Sequence, residues 1–494
     1  MTTATPANPP PESTAAPAMV ADKLADFSDK LSPMLVKELR QGLRAKTFVS
    51  VFLTLQILLG SVMLIAMAGS GDDPQRAGSA ISSIVFCFFG LAMLVIQPIR
   101  GIGALHREVH HNTIELMVLT RLNAWKIVLG KWVSLVAQSA LLLAAIAPYL
   151  VLRYWLGGMD LLGELSLLCL VFVVSAVFTA IIVGISCLPS MIIRGLLPLI
   201  GAALLITPVF SIPFDEDAFP EVISWAAGNS PGGFAAVAAF VAGTAYLGWT
   251  ALGIGVSMIA PIVENHSTLK RLVGLGMLLL TLLATTVIDA PSGVWAVMAC
   301  LVAIPAIILA FAEPFFAIGP LTARFLDRGP AGYLAAAFLH PGWAPGVLFS
   351  MLMIGLVAAI VHFGSAGATS PAEWIVLLAI SGSLILPAII IAPWKLRQRF
   401  ATYLLIMVAM GLITVVFSIL ASAIGSPKCD FLWWLAWLPP INLTMLEFST
   451  VFAEEDILRV SLWWNAGYAT ALTLIALVRL RDLTKVEIPE TESP

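Results

Sequence analysis

Apolar runs long enough to cross a bilayer recur along almost the whole of this chain, between residues 48 and 478. A helix needs about 20 consecutive, mostly apolar residues to span the hydrocarbon core. Only 11% of the residues are charged, against about 25% in a typical soluble domain. We therefore predict an all-α integral membrane protein with many spans.

The runs predict twelve transmembrane helices. They begin near Phe48, Ala80, Trp132, Leu165, Gly195, Gly233, Leu272, Gly293, Gly346, Trp374, Phe400 and Val460. The apolar stretch 431–448 is not counted, because Pro439 and Pro440 would interrupt a helix there. We interpret this stretch as a re-entrant or interfacial segment whose tryptophans lie at the level of the lipid headgroups.

The distribution of lysine and arginine favours this count and sets a direction. With a cytoplasmic amino terminus and alternating spans, 22 of the 26 basic residues fall in cytoplasmic segments. The other four are Arg76, Arg153, Lys428 and Arg459. Because basic loops are retained in the cytoplasm, we predict that both termini are cytoplasmic.

The spacing of the loops predicts two halves of six spans each. The longest cytoplasmic loops are 100–131 and 313–345, and the longest outer loops are 213–231 and 425–459. Each feature of the first half thus recurs roughly 210–225 residues later. An even number of spans in each half makes these parallel repeats, related by an axis along the membrane normal.

This division sets the domain boundaries. Residues 1–30, rich in proline, alanine and threonine, are predicted to form a disordered cytoplasmic tail. They lack a signal peptide's apolar core, so the first span is expected to act as an uncleaved targeting signal. The remaining segments are an amphipathic helix at 31–47, a first bundle at 48–264, a second bundle at 265–480 and a cytoplasmic tail at 481–494.

The segment before the first span is patterned as an interfacial helix. Leucines recur every four residues at 31, 35, 39 and 43, and charged residues lie between them. Such a helix lies in the inner headgroup region, with its basic side chains reaching toward anionic lipid. The charged residues that we assign to this helix are Lys37, Glu38, Arg40 and Arg44.

The cytoplasmic loop 100–131 is a polar island in an otherwise apolar chain. Ile102, Leu105 and Val109 are spaced as one helical face. A second helix is predicted from Ile114, because an Asn-Thr pair precedes it and Glu115 lies in its first turn. Two short helices joined at a polar elbow are suited to docking on another protein.

Two motifs flanking the first two spans resemble the permease subunits of ABC-2-type exporters. They are KELRQGLR at 37–44 and HREVHHNTIELMVLTRLNAWKIVLGK at 106–131. In the second motif Glu108, the Thr113 to Leu116 run and the Ile-Val-Leu-Gly-Lys sequence ending at Lys131 match the family pattern, whereas Arg121 replaces its usual proline. The resemblance covers 31–154; beyond it, the first six spans match by topology only.

The resemblance implies an export permease in a cell inner membrane, energised by a separate ABC ATPase subunit that binds as a dimer. ATP and magnesium would then be held by that partner, and this chain would carry no cofactor of its own. The loop after span two would contain the coupling helix that seats on the ATPase. Its candidate contact residues are Glu108, Thr113, Glu115 and Arg121. One chain or a homodimer could supply the transmembrane unit.

Absent motifs favour the same function. The chain has no P-loop, so it is not expected to be an enzyme that splits ATP. The predicted span cores lack acidic and basic residues, which argues against coupling to protons or sodium. His106, His110 and His111 lie close together in the sequence, and His106 and His110 could share one helical face. No third ligand with clear spacing accompanies these two, so no metal site is predicted. The sequence contains no basic patch of the kind that binds nucleic acid.

Two other functions stay open. A membrane enzyme of the glycosyltransferase type would use acidic outer-loop residues such as Asp72 and Asp73, although their loop is short. A membrane assembly subunit without transport would share the same spans. Co-purification with an ATPase distinguishes the exporter from both.

Overall fold

The computed structural model describes residues 33–69, 74–106, 123–156, 160–215, 217–229, 233–260, 267–288, 292–314, 325, 329–364, 369–394, 396, 398–424, 426–448 and 452–481. Within these ranges every regular element is helical. Twelve helices are long and apolar enough to cross a membrane. The predicted all-α membrane architecture and the number of spans are therefore confirmed.

The spans, numbered in chain order, begin close to the predicted positions. Span 1 is Lys46–Gly69, and span 2 runs from Pro74–Gly90 through the π-helical turns Leu91–Ile96 to Gln97–Ile99. Spans 3 to 12 are Ala124–Leu156, Leu161–Ile185, Met191–Ser211, Gly233–Ile259, Ser267–Val287, Ser292–Ala312, Trp343–Gly364, Pro371–Ile391, Arg399–Ile424 and Glu454–Leu480.

Span 3 begins eight residues before the predicted start at Trp132, at Ala124. The side chain of Asn123 accepts a hydrogen bond from the amide of Trp125 (3.2 Å), which caps the helix. Lys131, which suggested a loop in the sequence, lies inside the helix and pairs with Glu38. A tertiary partner therefore makes charge tolerable in the first turns of this span.

Short helices lie between and before the spans. The amino-terminal helix is Pro33–Leu43. The others described are Ile212–Phe214, Ala218–Ala226, Gly329–Leu339, Ser426–Leu435 and Ile441–Glu447. The stretch 431–448 is thus divided at Pro439 and Pro440 into two short helices and does not form a span. Trp434 in this stretch is 85% exposed.

The direction of the spans defines two ends of the bundle. Contacts between helix ends show which ends lie together: Arg100 after span 2 lies over Phe48 at the start of span 1, and Arg271 at the start of span 7 bonds Glu313 after span 8 and Gly342 before span 9. Consecutive spans therefore run in opposite directions at these places. We call the end at which odd-numbered spans begin the near end, and the opposite end the far end. The amino-terminal helix lies at the near end, where it packs against span 3.

Glycine allows several spans to approach each other's backbones. A Cβ atom on Gly184 of span 4 would lie 2.0 Å from the carbonyl oxygen of Ala251 in span 6. The same relation holds between Gly346 of span 9 and Ala310 of span 8, at 2.2 Å. Small residues are typical of such interfaces in membranes, since van der Waals packing holds the helices together there.

We expect Gly184→Ala to destabilise the protein, because the added methyl group meets backbone rather than a movable side chain. Overpacking of this kind costs about 1–3 kcal/mol. Gly276→Ala is the matched control, since no atom lies within 4 Å of a Cβ at that helical glycine. Thermal unfolding in detergent micelles measures both. Equal stability of the two variants would contradict the described contact of spans 4 and 6.

Candidate functional site

The amino-terminal helix is packed on the protein at the near end. Glu38 forms an ion pair with Lys131 of span 3, with 3.2 Å between Oε1 and Nζ. The side chains of Lys37, Arg40 and Arg44 are exposed. The helix therefore holds its acidic residue against span 3 and presents its basic residues outward.

Both ends of the loop between spans 2 and 3 are anchored. Leu105 is fully buried, and its amide donates a hydrogen bond to Ser186 Oγ at the end of span 4 (3.3 Å). Arg100 donates to Gln97 Oε1 (2.5 Å) and lies over the ring of Phe48, 5.5 Å from its centre. Partial burial lowers the pKa of Arg100. At the other end the Lys131 pair holds the start of span 3.

The predicted coupling residues occupy the middle of this loop. Glu108, Thr113, Glu115 and Arg121 all lie outside the described residues. The structure places the residues on either side of them, Leu105 and the start of span 3. Their roles stay predictions.

The near end of the second bundle contains a buried arginine network. Arg271 of span 7 is 3% exposed. Its guanidinium donates to Glu313 Oε2 (2.7 Å) and to the carbonyl oxygens of His340 (2.7 Å) and Gly342 (2.8 Å). The amide of Gly342 also donates to Glu313 Oε2 (3.1 Å). Span 7, the end of span 8 and the start of span 9 are thereby held together by one side chain.

His340 lies next to this network and is fully buried. Its Nδ1 is 2.8 Å from the carbonyl oxygen of Pro341. Burial lowers the pKa of His340, and the opposing effects of the Pro341 hydrogen bond and of Glu313 do not cancel it. The imidazole is therefore the neutral form at physiological pH.

A second buried ion pair lies at the far end of the first bundle. Arg153 in the last turn of span 3 is 2% exposed and forms two hydrogen bonds with Glu164 of span 4, one of them 2.6 Å from Arg153 Nη2 to Oε1. Ser82 of span 2 donates to the same oxygen (3.1 Å). The charge pattern predicts Arg153 in an outer loop and does not predict this pair. The feature that could have indicated it is a basic and an acidic residue on either side of one short connection.

Polar side chains within the spans divide between two roles. The amide of Gln56 donates across spans to the carbonyl oxygen of Ala145 (3.5 Å), and Asn465 accepts from Ser381 of span 10 (3.5 Å). Gln138 instead donates to Ser134 O within its own helix (3.0 Å). Gln56 and Asn465 therefore join neighbouring helices, whereas the bond of Gln138 stays within span 3.

A large apolar cleft opens between spans 4 and 6 toward the far end. Its volume is about 700 Å³. Leu165, Cys169 and Val173 line it from span 4, and Phe234 and Val241 line it from span 6. An apolar cavity of this size would accept hydrocarbon more readily than water.

Comparisons with known proteins do not assign the chain to a group. No protein-family model, no curated protein and no solved structure matches it. Among the described residues, no three histidine, cysteine, aspartate or glutamate side chains are grouped to hold a metal ion.

We expect Glu164→Gln to destabilise the protein by about 3–5 kcal/mol, because it removes the charge that Glu164 sets against buried Arg153. The double variant Arg153→Met, Glu164→Leu should be less destabilised than Glu164→Gln, since both charges are removed. Thermal unfolding in detergent provides the measurement. Arg459→Gln is the control, because its ion pair is 71% exposed on the arginine side and should contribute at most about 1 kcal/mol. A double variant that unfolds at a lower temperature than Glu164→Gln would contradict this explanation.

We expect His340 to make the protein less stable as the pH falls. Its folded pKa lies below the ordinary value of 6.5, so the unfolded chain binds the proton more tightly. The stabilisation is complete above pH 6.5 and is lost as the pH falls from there through the folded pKa. Unfolding of the wild type and His340→Gln at a series of pH values should show the steeper loss in the wild type. Parallel curves would contradict the prediction.

Proposed function

We propose that this chain is the membrane permease of an ATP-driven exporter of the ABC-2 type, energised by a separate ATPase subunit. The observation that carries the proposal is the anchoring of the loop between spans 2 and 3. Leu105 holds the beginning of the loop against span 4, and Lys131 of span 3, which follows the loop, pairs with the amino-terminal helix. A force applied to the loop would therefore reach several spans at once.

The near end is proposed to be cytoplasmic, with both termini on that side. Basic residues concentrate there, at the starts of odd-numbered spans and the ends of even-numbered ones. Those described include Arg100, Lys131, Arg194, Lys270, Arg271, Arg399 and Arg479. This is the distribution that the positive-inside rule associates with the cytoplasm, where ATP is available.

Division into two six-span halves is supported by corresponding contacts. Span 6 packs on spans 3 and 4, and span 12 packs on spans 9 and 10. The short far-end helix Ala218–Ala226 packs on span 4, and its counterpart Ile441–Glu447 packs on span 10. Span 5 contacts span 11, its own equivalent, as a two-fold axis between the halves would produce. Two such halves could form the transmembrane unit from one chain.

The apolar cleft between spans 4 and 6 favours a substrate with a hydrocarbon portion. It lies in the far-end half of the bundle and contains the exposed thiol of Cys169. A glycosyltransferase-type enzyme is less well supported. Glu164 is the most deeply buried carboxylate among the described residues. Both of its oxygens accept hydrogen bonds from Arg153 or Ser82, so neither is free for acid–base chemistry.

The test is recovery of an ATPase with the tagged full-length chain from its native membrane. We expect a P-loop protein to co-purify and to hydrolyse ATP in the complex. Glu108→Lys combined with Glu115→Lys should lower its recovery at least about tenfold, since a reversed interfacial charge costs about 2–5 kcal/mol. Glu455→Lys is the matched control, because Glu455 is exposed at the far end.

Two results would overturn the proposal. One is that no P-loop protein accompanies the wild-type chain under conditions that keep it folded. The other is that the ATPase is recovered equally with the double variant, in which case the loop between spans 2 and 3 does not mediate coupling. Thermal unfolding of each variant separates lost binding from lost folding.

A further inference from the structure

A small cavity lies between spans 6, 7 and 8, toward the near end. Tyr246 lines it from span 6, Ser267, Lys270 and Arg271 from span 7, and Glu313 from the end of span 8; three apolar residues of span 8 complete its wall. Gly253 and Gly274 make room for the polar groups. A Cβ atom on Gly253 would lie 3.0 Å from Lys270 Cε, and one on Gly274 would lie 2.7 Å from the Tyr246 hydroxyl oxygen.

Two hydrogen-bond donors that line the cavity have no acceptor among the described residues. The hydroxyl group of Tyr246 and the Nε–H of Arg271 are buried and have no hydrogen-bond partner. Lys270 carries three donors and uses one on the carbonyl oxygen of Gly253 (2.9 Å). The carboxylate of Glu313 is already engaged by Arg271 and by the amide of Gly342. Buried donors left unpaired in this way indicate a missing acceptor.

The net charge of the cavity lining also favours a negatively charged acceptor. Among the described residues that line it, Lys270 and Arg271 contribute two positive charges, and Glu313 contributes one negative charge. Lys270 is 9% exposed and Arg271 is 3% exposed. A buried excess charge is costly unless it is paired. A neutral water molecule could accept hydrogen bonds but would leave the charge uncompensated.

The size of the cavity limits the ligand to one atom or a molecule as small as water. The cavity volume is about 10 Å³, which is close to the smallest space that holds one water molecule. Phosphate, sulfate and lipid headgroups are too large. Ser267 and Glu313, on the near-end side of the cavity, are only partly buried.

We propose that this cavity is a binding site for a single monatomic anion of the size of chloride. Lys270, Tyr246 and Arg271 Nε donate to it, and its charge balances the excess over Glu313. The bound anion joins spans 6, 7 and 8, and thereby the two six-span halves. The site is independent of any ATPase and can be tested on the isolated full-length chain.

The test is a chloride titration of the purified full-length chain in detergent, with sodium gluconate exchanged for sodium chloride at constant ionic strength. We expect the unfolding temperature to rise and saturate, because a ligand that binds only the folded state stabilises it. Tyr246→Phe should raise the half-saturating concentration at least about tenfold, as expected for the loss of one hydrogen bond to a charged group. Lys270→Met should abolish the response.

Tyr403→Phe is the matched control. It removes a hydroxyl from another buried tyrosine, one that donates to the carbonyl oxygen of Leu384 (2.7 Å). Its half-saturating concentration should equal that of the wild type. Crystals of the wild-type chain grown in bromide provide a second measurement that needs no variant, and an anomalous peak is expected within hydrogen-bond distance of Lys270 Nζ and the Tyr246 hydroxyl.

Three results would overturn the proposal. The first is a wild-type unfolding temperature that does not differ between chloride and gluconate. The second is a Tyr246→Phe response equal to that of Tyr403→Phe. The third is the absence of bromide from the cavity, which would mean that it contains only water.

Discussion

Hydrocarbon does not solvate charge, and this constraint decides where the chain places its ionisable groups and what each must contact. The buried charges of the described residues lie near helix ends, where partners and uncommitted carbonyl groups are available. Arg153 is matched to Glu164, and Arg271 to Glu313 together with backbone oxygens. Arg399 at the start of span 11 lies over the ring of Trp343, 4.6 Å from its centre. Between the ends, the described interior contains no buried charge.

Two kinds of contact hold the spans together: charged groups near the helix ends, and small residues along the helices. Gly184 and Gly346 bring neighbouring backbones into close contact. The Arg271 network instead ties the loop before span 9 to the start of span 7 through polar bonds. Movement of that loop would therefore be transmitted to span 7. In the first bundle, the pair of Glu38 and Lys131 likewise ties the amino-terminal helix to span 3.

The sequence predicted the spans well, because the length of an apolar run is set by the bilayer and is a local property. It predicted charge pairing poorly, because pairing depends on which helices pack together. Lys131 lies inside span 3, where it pairs with Glu38, 93 residues away. The Arg271 network likewise joins segments whose proximity no sequence pattern reveals. The break of 431–448 at Pro439 was predictable from covalent structure alone. Of the candidate site, the helix 33–43 and the anchored loop ends are described, while Glu108 and Glu115 remain predictions.

The two buried ion pairs differ in how far apart their members lie in the chain, and this bears on biosynthesis. Arg153 and Glu164 are 11 residues apart and join consecutive helices, so spans 3 and 4 can enter the bilayer as a hairpin whose charges already neutralise each other. Arg271 and Glu313 are 42 residues apart, and the carbonyl groups that complete their network follow later still. The network around Arg271 is therefore complete only after the start of span 9 has been synthesised.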